Sequence, residues 1–517
     1  MNRWIKILFV FAIFLVSFLY RYHGLKTNIP FWVDEFSTAR NARLILKYGV
    51  NVFTTPNIIF ENNNFAPNIL VASSIKVFGE QEWAARLPFI VIGSLVPVAT
   101  LILAAELFGT PTGIIAALLT TFSYFMITWS RQARGYVLQQ LLVLLTIYTY
   151  IKVIRKYSLA SMFSLIFLII LGLLTHALYI LLIFSLVVHF ILLNIKNLKI
   201  IFSKRGVVIS VFLILLLLVL MYQNLFTVLK LNLGGTNNVW YYHSFLWREY
   251  TLLTFLAIIG LFLGLLKNWR SNSLIAIYLL FHLVFINFFY GHYLTKYLLP
   301  IFPLLFIYMA LTITQLTYHT ITSYAPKRFK TDKRVHLILP VIIVLFIILN
   351  GDKFVTKSKA YYSLNHDFRE ISNIDYNRVY DIIKKAPLEN TAIIETWPDR
   401  AKWYLGNDFP NLYYFRWQDD AGFELGQPKH TTFIYNKQAE KVIPDTENLR
   451  FVGKLSDLKR AIKTYPKGFI FIDDSTLPKE IIDYANIHFK KGIYLDHYPL
   501  DDNPYSLWPA TLYSWGI

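Results

Sequence analysis

Residues 87–105 read LPFIVIGSLVPVATLILAA, a run of 19 residues without a charged side chain. An α-helix needs about 20 predominantly apolar residues to cross the hydrocarbon core of a bilayer, and this run has that length and composition. The bilayer interior offers no partner for backbone polar groups, so a lone apolar segment crosses it as a helix. The run therefore indicates a membrane protein.

Runs of the same character recur from the N-terminus to about residue 350. Of the 517 residues, 56% are hydrophobic and 17% aromatic, a composition too apolar for a soluble enzyme. We predict a polytopic α-helical membrane protein with about 11 transmembrane helices. They are expected at residues 6–20, 87–105, 112–130, 135–151, 159–174, 177–193, 206–222, 250–266, 273–290, 297–318 and 335–350.

The positive charges follow the pattern of a membrane topology. Residues 1–350 carry 28 Lys and Arg but eight Asp and Glu, whereas residues 351–517 carry 22 and 23. Basic clusters fall in alternate loops, which the positive-inside rule assigns to the cytoplasm. We therefore predict a multi-pass plasma-membrane protein with a cytoplasmic N-terminus and an extracytoplasmic C-terminal part. This charge indicates contact with membrane lipids and no nucleic-acid partner.

Two regions outside the membrane are long enough to fold. In residues 351–517, short β-rich runs at 391–394, 412–415 and 469–472 alternate with helical stretches, which predicts an extracytoplasmic α/β domain. The loop at 21–85 contains a helical pattern at 35–48 whose apolar and basic residues suit a membrane surface. We divide the chain into a transmembrane module, residues 1–350, and a C-terminal domain, residues 351–517.

Asp34 and Glu35 form an adjacent acidic pair in a part of the chain where acids are scarce. Neighbouring side chains diverge by about 100° on a helix, so at most one of them faces a given substrate atom. One carboxylate suffices as a base when the leaving group is a stable anion such as a phosphate. The pair fits equally well at a helix N-terminus, where the helix dipole favours acidic residues.

Three cations are expected on the same side of the membrane. Arg131 and Arg134 are three residues apart at a helix end and could together bind a phosphate, and Lys296, next to Tyr297, adds a third charge. Arginine and lysine at a membrane edge also bind lipid head groups. The sequence is compatible both with phosphate binding and with head-group binding.

Other polar residues give weaker signals. We interpret His176 and His292 as polar residues at helix ends in preference to catalytic bases. Glu61 could be a second carboxylate, a metal ligand or a solvated loop acid. The sequence contains no cluster of His, Asp and Glu with the spacing of metal ligands. No cofactor is certain, and a divalent metal ion held by Asp34 and Glu61 stays open.

The order of these motifs resembles the polyprenyl-phosphate-sugar-dependent glycosyltransferases of the GT-C class, in the branch of the protein O-mannosyltransferases and the lipid A aminoarabinose transferase. The resemblance covers most of residues 1–350. It departs near Glu61, where relatives often have a charged residue beside a Pro-Pro-Leu run, and at Lys296, where relatives often have Arg. The matching segments are WVDE at 32–35, EWAARLP at 82–88, ELFG at 106–109, GIIAALL at 113–119, SRQARGY at 130–136 and KYLLP at 296–300.

The resemblance implies transfer of a hexosyl or pentosyl group, with inversion, from a polyprenyl-phosphate donor to a hydroxyl of a glycan, lipid or protein. It makes Asp34 the general base. The other acidic candidates for catalysis are Glu35 and Glu61. The residues implied to bind the donor phosphate are Arg131, Arg134, Lys296 and Tyr297. Those implied to support the site are Arg86, His176 and His292.

Two other classes of protein are compatible with many apolar helices. One is a transporter or flippase for a lipid-linked saccharide, and the other is a membrane-anchored binding or assembly protein in which residues 351–517 are the active part. Transporters often carry ionisable groups at the membrane midplane, within paired repeats. The spans in this sequence are nearly free of charge and show no internal repeat. This favours a glycosyltransferase over a transporter.

Overall fold

A computed structural model of the chain describes most of its residues. The predicted helix at 206–222, Glu61 and His292 lie outside the described residues. These residues are 3–27, 30–53, 64–194, 237–290, 294–332, 334–359, 375–406, 409–415, 434–436, 441–443, 449–473, 477–495 and 510–517.

The chain falls into two compact units. The first contains residues 1–25, 62–67 and 86–362, and the second contains residues 26–61, 68–85 and 363–517. Most of the loop predicted at 21–85 thus groups with the C-terminal residues, because its helix packs on theirs. A functional division at residue 350 stays a prediction.

Helices build the first unit. Five described helices are long and apolar enough to cross a membrane, and a sixth is obtained if Val239–Glu249 and Thr251–Lys267, bent by 99°, form one span. The protein is therefore a multi-pass membrane protein, while the count of 11 spans stays a prediction. The helices are α1 (Arg3–Tyr22), α4 (Glu82–Phe108), α5 (Thr110–Phe122), α6 (Tyr124–Ser130), α7 (Tyr136–Arg155), α8 (Leu159–Leu173), α9 (Ile180–Asn194), α10 (Val239–Ser244), α11 (Thr251–Lys267), α12 (Trp269–Phe288), α13 (Phe302–Tyr324), α14 (Lys327–Lys330) and α15 (Val335–Asn350).

The prediction of one continuous helix at 112–130 is wrong, because the chain breaks at Ser123. The backbone of Ser123 is extended, and its Oγ accepts a hydrogen bond from the Met126 amide at 3.5 Å. The chain after α15 pairs with the break. Tyr124 donates its amide to the Lys353 carbonyl at 2.9 Å, and Val355 donates to the Phe122 carbonyl at 2.8 Å.

Small and polar residues let the helices approach one another. Gly260 on α11 lies so close to the Tyr308 carbonyl on α13 that a Cβ at this position would collide with it. The hydroxyls of Thr112 and Thr314 lie 3.1 Å apart between α5 and α13. Such close contacts give helices in lipid the van der Waals packing and hydrogen bonds that hold them together.

The helix ends form two groups. In one, Arg155 contacts Glu106 and lies 3.3 Å from the Ser271 hydroxyl. In the other, the turn before α7 approaches the turn after α8, where a Cβ on Gly135 would lie 3.2 Å from the Thr175 carbonyl. Loops that alternate between two membrane faces are expected to group in this way. Which face is cytoplasmic stays a prediction.

An eight-stranded sheet forms the centre of the second unit, in the order β3-β4-β5-β2-β1-β6-β8-β7. The four central strands, β5, β2, β1 and β6, are parallel, and the outer strands are antiparallel. The β-rich runs predicted at 391–394, 412–415 and 469–472 are β1, β2 and β6. The strands are β1 (Thr391–Glu395), β2 (Leu412–Phe415), β3 (Ile434–Asn436), β4 (Lys441–Ile443), β5 (Leu449–Val452), β6 (Lys467–Ile472), β7 (Lys490–Leu495) and β8 (Ala510–Trp515).

Helices complete the second unit. An apolar core that includes Leu458 and Ile481 joins two of them to the sheet, around Ile394 and Ile470. The helices are α2 (Val33–Tyr48), α3 (Phe65–Phe78, whose first three residues belong to the first unit), α16 (Tyr376–Lys384), α17 (Pro398–Leu405), α18 (Leu455–Thr464) and α19 (Lys479–His488).

Candidate active site

The acidic pair lies in the first turn of α2, within the second unit. Glu35 is fully buried, and its Oε2 accepts a hydrogen bond from the backbone amide of Trp32, the residue before the helix, at 2.9 Å. This bond satisfies a donor that the start of a helix would otherwise leave unpaired. The Glu35 carboxylate thus has the helix-starting role that the sequence left open beside catalysis.

Asp34 differs from its neighbour in exposure. It is half-buried, whereas Glu35 is inaccessible to solvent. A carboxylate in the first turn of a helix is favoured by the positive end of the helix dipole. Of the two acids, Asp34 is the one that a substrate hydroxyl can reach.

Two basic residues of α2 are buried in protein contacts. A helix lying on a membrane surface would expose its basic residues. Instead, Arg40 pairs with Asp399 of α17 at 3.2 Å, and Arg43 donates to the Lys402 carbonyl of the same helix at 3.0 Å. The helix predicted at 35–48 is present, but α17 forms the surroundings of these two arginines.

In the first unit, two of the predicted cations lie against one aromatic ring. The Nζ of Lys296 lies 5.1 Å from the centroid of the Tyr136 ring, and the Cζ of Arg134 lies 5.8 Å from it. Tyr297 stands at 6.2 Å from Tyr136, edge to face, and Lys296 lies 5.6 Å from its ring as well. Lys296 is 3% exposed. The structure thus brings Arg134, Lys296 and Tyr297 together.

His176 belongs to the same cluster. Its ring centroid lies 5.2 Å from that of Tyr136 and 6.4 Å from that of Tyr297. Burial, reinforced by the positive charges of Arg134 and Lys296, lowers the pKa of His176 to about 3. The imidazole is therefore neutral at physiological pH, and its Nδ1 accepts a hydrogen bond from the Leu178 amide at 3.2 Å.

The contacts of Arg131 differ from those of Arg134. Its Nη1 donates to the His23 carbonyl at 2.7 Å and to the Lys359 carbonyl at 3.4 Å, and the side chain is buried. These bonds tie the turn before α7 to the end of α1 and to the chain after α15. Arg86 is fully buried near the start of α4. Phosphate binding by Arg131 and a supporting role for Arg86 stay predictions.

Three polar residues close to Arg134 in the sequence were not among the predicted site residues. The ring of Tyr136 contacts both Arg134 and Lys296. In the sequence, Tyr136 follows Arg134 and Gly135 at the start of a helix, and this position could have indicated it as a site residue. Within the described residues, Gln132 Oε1 and Gln139 Nε2 are buried without a hydrogen-bond partner. Buried polar atoms are rarely left unpaired, so these amides are available to a bound polar group.

The described residues do not fit a metal centre. They contain no group of three or more His, Asp and Glu close enough to hold a metal ion. Divalent cations such as Mg²⁺ and Ca²⁺ take several oxygen ligands, and Asp34 alone does not provide them. Glu61 lies outside the described residues, so its pairing with Asp34 stays a prediction.

Comparison with known proteins identifies the fold. The model of the family described as dolichyl-phosphate-mannose-protein mannosyltransferase matches residues 65–222. No curated protein sequence matches the chain. Two crystal structures of ArnT from Cupriavidus metallidurans match nearly its whole length at 13% identity. The structure bound to undecaprenyl phosphate has a TM-score of 0.58 and covers 99% of this chain and 98% of that one. The apo structure has a TM-score of 0.60 and covers 98% and 97%.

These matches confirm the resemblance predicted from the motifs. The chain resembles the GT-C glycosyltransferases of the ArnT and protein O-mannosyltransferase branch, and it has the ArnT fold.

Proposed function

We propose that the protein is an integral-membrane glycosyltransferase that moves a sugar from a polyprenyl-phosphate donor to an acceptor hydroxyl. The observation that carries the proposal is the pair of cations, Arg134 and Lys296, against the Tyr136 ring at one end of the helices. Their positive charge suits a phosphate. ArnT, which has the same fold, has been crystallised with undecaprenyl phosphate, and the matching family model is named for a dolichyl-phosphate sugar.

The surroundings of the cations suit a leaving phosphate. Lys296 is buried, and charges act more strongly on one another where water is excluded. Burial lowers the pKa of His176, and the positive charges of Arg134 and Lys296 lower it further. Negative charge develops on the phosphate as the sugar departs, and cations already in place stabilise that charge in the transition state.

In the proposed reaction, the acceptor oxygen attacks the anomeric carbon of the donor sugar. The bond between that carbon and the phosphate oxygen breaks, and polyprenyl phosphate leaves as the anion. The acceptor proton passes to Asp34, the half-buried and more accessible acid of the pair. Because attack and departure take place on opposite sides of the carbon, the anomeric configuration inverts. Arg134 and Lys296 hold the phosphate, and Tyr136, Tyr297 and neutral His176 line it.

We further propose that the reaction takes place on the extracytoplasmic side. The distribution of Lys and Arg supports a cytoplasmic N-terminus and an external C-terminal part. The sheet and its helices would then face the compartment that contains cell-envelope acceptors. Selection of the glycan, lipid or protein acceptor is the role that we assign to this part.

The test is a transfer assay with protein purified into lipid nanodiscs. Polyprenyl-phosphate hexose and pentose donors are incubated with envelope lipid, glycan or peptide acceptors, and products are identified by mass spectrometry. We expect a glycosylated acceptor, one equivalent of polyprenyl phosphate, and an inverted anomeric centre by NMR. A protein that moves labelled donor across liposomes without forming a glycosylated product would instead be a flippase.

A further inference from the structure

Helix α2, which carries Asp34 at its start, packs on α17 through two arginines one helical turn apart. Arg40 forms an ion pair with Asp399 in the first turn of α17, with a 3.2 Å separation and with both side chains almost inaccessible to solvent. Arg43 reaches the last turn of α17, where it donates to the Lys402 and Trp403 carbonyls at 3.0 and 3.3 Å. The two arginines thus contact both ends of α17.

Aromatic contacts close the same interface. The Cζ of Arg43 lies 4.4 Å from the centroid of the Trp403 ring, and Phe31, just before α2, lies 4.9 Å from the same ring. Phe36, at the end of the first turn of α2, contacts Tyr404 of α17 and Tyr376 of α16, with ring centroids 6.0 Å apart in each case. The contacts therefore extend to both sides of Asp34 in the sequence.

Helix α17 is in turn bound to the sheet. Arg400, the residue after Asp399, is fully buried, and its Nε donates to Glu395 at the end of β1 at 2.9 Å. Its Nη1 donates to Asp473, directly after β6, at 2.7 Å. The Ala401 amide donates to the other oxygen of Glu395 at 2.7 Å. Consecutive residues of α17 therefore bind α2 on one side and two parallel strands on the other.

We propose that the Arg40–Asp399 ion pair is a positioning contact for the transfer reaction, through which the sheet sets the direction of the first turn of α2 and hence of Asp34. The proposal rests on the proposed function, because it assumes that Asp34 is the base. A base must lie within hydrogen-bond reach of the hydroxyl that it deprotonates. A displacement of about 1 Å caused by a distant substitution can cost about 10²-fold in rate.

The buried position of the ion pair suits this role. A buried ion pair adds little net stability compared with apolar residues of the same size, but removing one partner leaves an uncompensated buried charge. Arg43 offers a comparison on the same helix. It pairs with Glu80 at 2.7 Å, but the Glu80 side chain is 51% exposed, and water can replace that contact.

The test compares Asp399→Asn and Arg40→Gln, singly and together, with Glu80→Gln as the matched control. We expect each single substitution of the buried pair to lower kcat by about 10²-fold with the KM for the donor unchanged, since the donor phosphate is assigned to Arg134 and Lys296. The double variant should lose less than the product of the two single losses, because it leaves no unpaired charge. Arg40→Lys, which keeps the charge, should retain more activity than Arg40→Gln, and Glu80→Gln should match the wild type.

Hydrogen exchange separates positioning from general loss of structure. Amides of residues 33–48 should exchange faster in Asp399→Asn, while those of β1 and β6 keep wild-type protection. A wild-type kcat in Asp399→Asn would overturn the proposal, as would faster exchange throughout the sheet. If Asp399→Asn does not fold, a wild-type kcat in Arg40→Gln or a kcat in Arg40→Lys as low as in Arg40→Gln would overturn it. An inactive Asp34→Asn beside a fully active Asp399→Asn rejects only the positioning role, whereas an active Asp34→Asn rejects the proposed function.

Discussion

The Arg400 guanidinium lies 2.7 Å from the Asp473 carboxylate inside the second unit, and the Arg400 side chain is inaccessible to solvent. The same guanidinium binds Glu395 at 2.9 Å, so one cation serves two carboxylates at the ends of neighbouring parallel strands. Rings of Tyr376 and Phe471 lie 4.5 and 4.8 Å from its Cζ. This cation holds α17 on the sheet, and α17 holds α2.

We expect Arg400→Met to destabilise the second unit by about 3–5 kcal/mol, because two buried carboxylates lose their counter-charge. The measurement is the midpoint of thermal unfolding of the purified full-length protein. Arg460→Met is the matched control, since Arg460 is 61% exposed and lies 3.6 Å from Asp457. Exposed pairs contribute about 0–1 kcal/mol, so its midpoint should stay near the wild-type value. Equal midpoints for the two variants would contradict the assignment.

Glu35 should behave as a helix-starting residue. Glu35→Gln keeps an oxygen that can accept the Trp32 amide bond, so we expect transfer activity close to that of the wild type. Glu35→Ala removes the acceptor and should cost about 0.5–2 kcal/mol of stability, as loss of a cap does elsewhere. Initial rates and unfolding midpoints of both variants provide the check. An inactive but folded Glu35→Gln would show that the carboxylate takes part in the chemistry.

Lys296 should matter for donor binding. We expect Lys296→Met to weaken binding of polyprenyl phosphate by about 10- to 100-fold, because hydrogen bonds to charged groups contribute about 1.5–3 kcal/mol. Lys267→Met, at an exposed lysine, is the matched control. Binding is measured by competition with labelled donor in nanodiscs. Unchanged affinity in Lys296→Met would remove this residue from the phosphate site.

His176 provides a prediction about pH. Its pKa falls from about 6.5 in the unfolded chain to about 3 in the folded protein, so between these values the unfolded state binds more protons. Stability should therefore decrease as the pH falls from 6.5 towards 3. His176→Asn keeps an acceptor for the Leu178 amide but does not titrate. Unfolding midpoints at pH 7 and pH 4.5 should differ less in this variant, and an equal difference would contradict the lowered pKa.

The fold was predictable from the sequence where short-range patterns determine it. Apolar runs located the spanning helices, such as the one containing residues 87–105, and β-rich runs located β1, β2 and β6. The break at Ser123 was not predictable, because it depends on pairing with residues 353–355, more than 200 positions away. Nothing near Ser123 in the sequence marks that partner.

The site was predictable to a smaller extent. Order and spacing of the motifs indicated Arg134, Lys296 and Tyr297, which the structure brings together around Tyr136. The surroundings of α2 were not indicated, because Arg40 and Arg43 are buried by residues about 360 positions later in the chain. Without knowledge of these partners, the apolar and basic residues of α2 predict a helix on a membrane surface.

The most direct test of the account is the transfer rate of Asp34→Asn. The substitution keeps the size of the side chain but removes the proton acceptor, and general-base catalysis contributes about 10²–10⁴-fold. Asp381→Asn, at an exposed aspartate of α16, is the matched control. With both variants folded and binding donor as the wild type does, we predict a rate loss of at least about 10²-fold for Asp34→Asn and none for Asp381→Asn. A wild-type rate in Asp34→Asn would contradict the account.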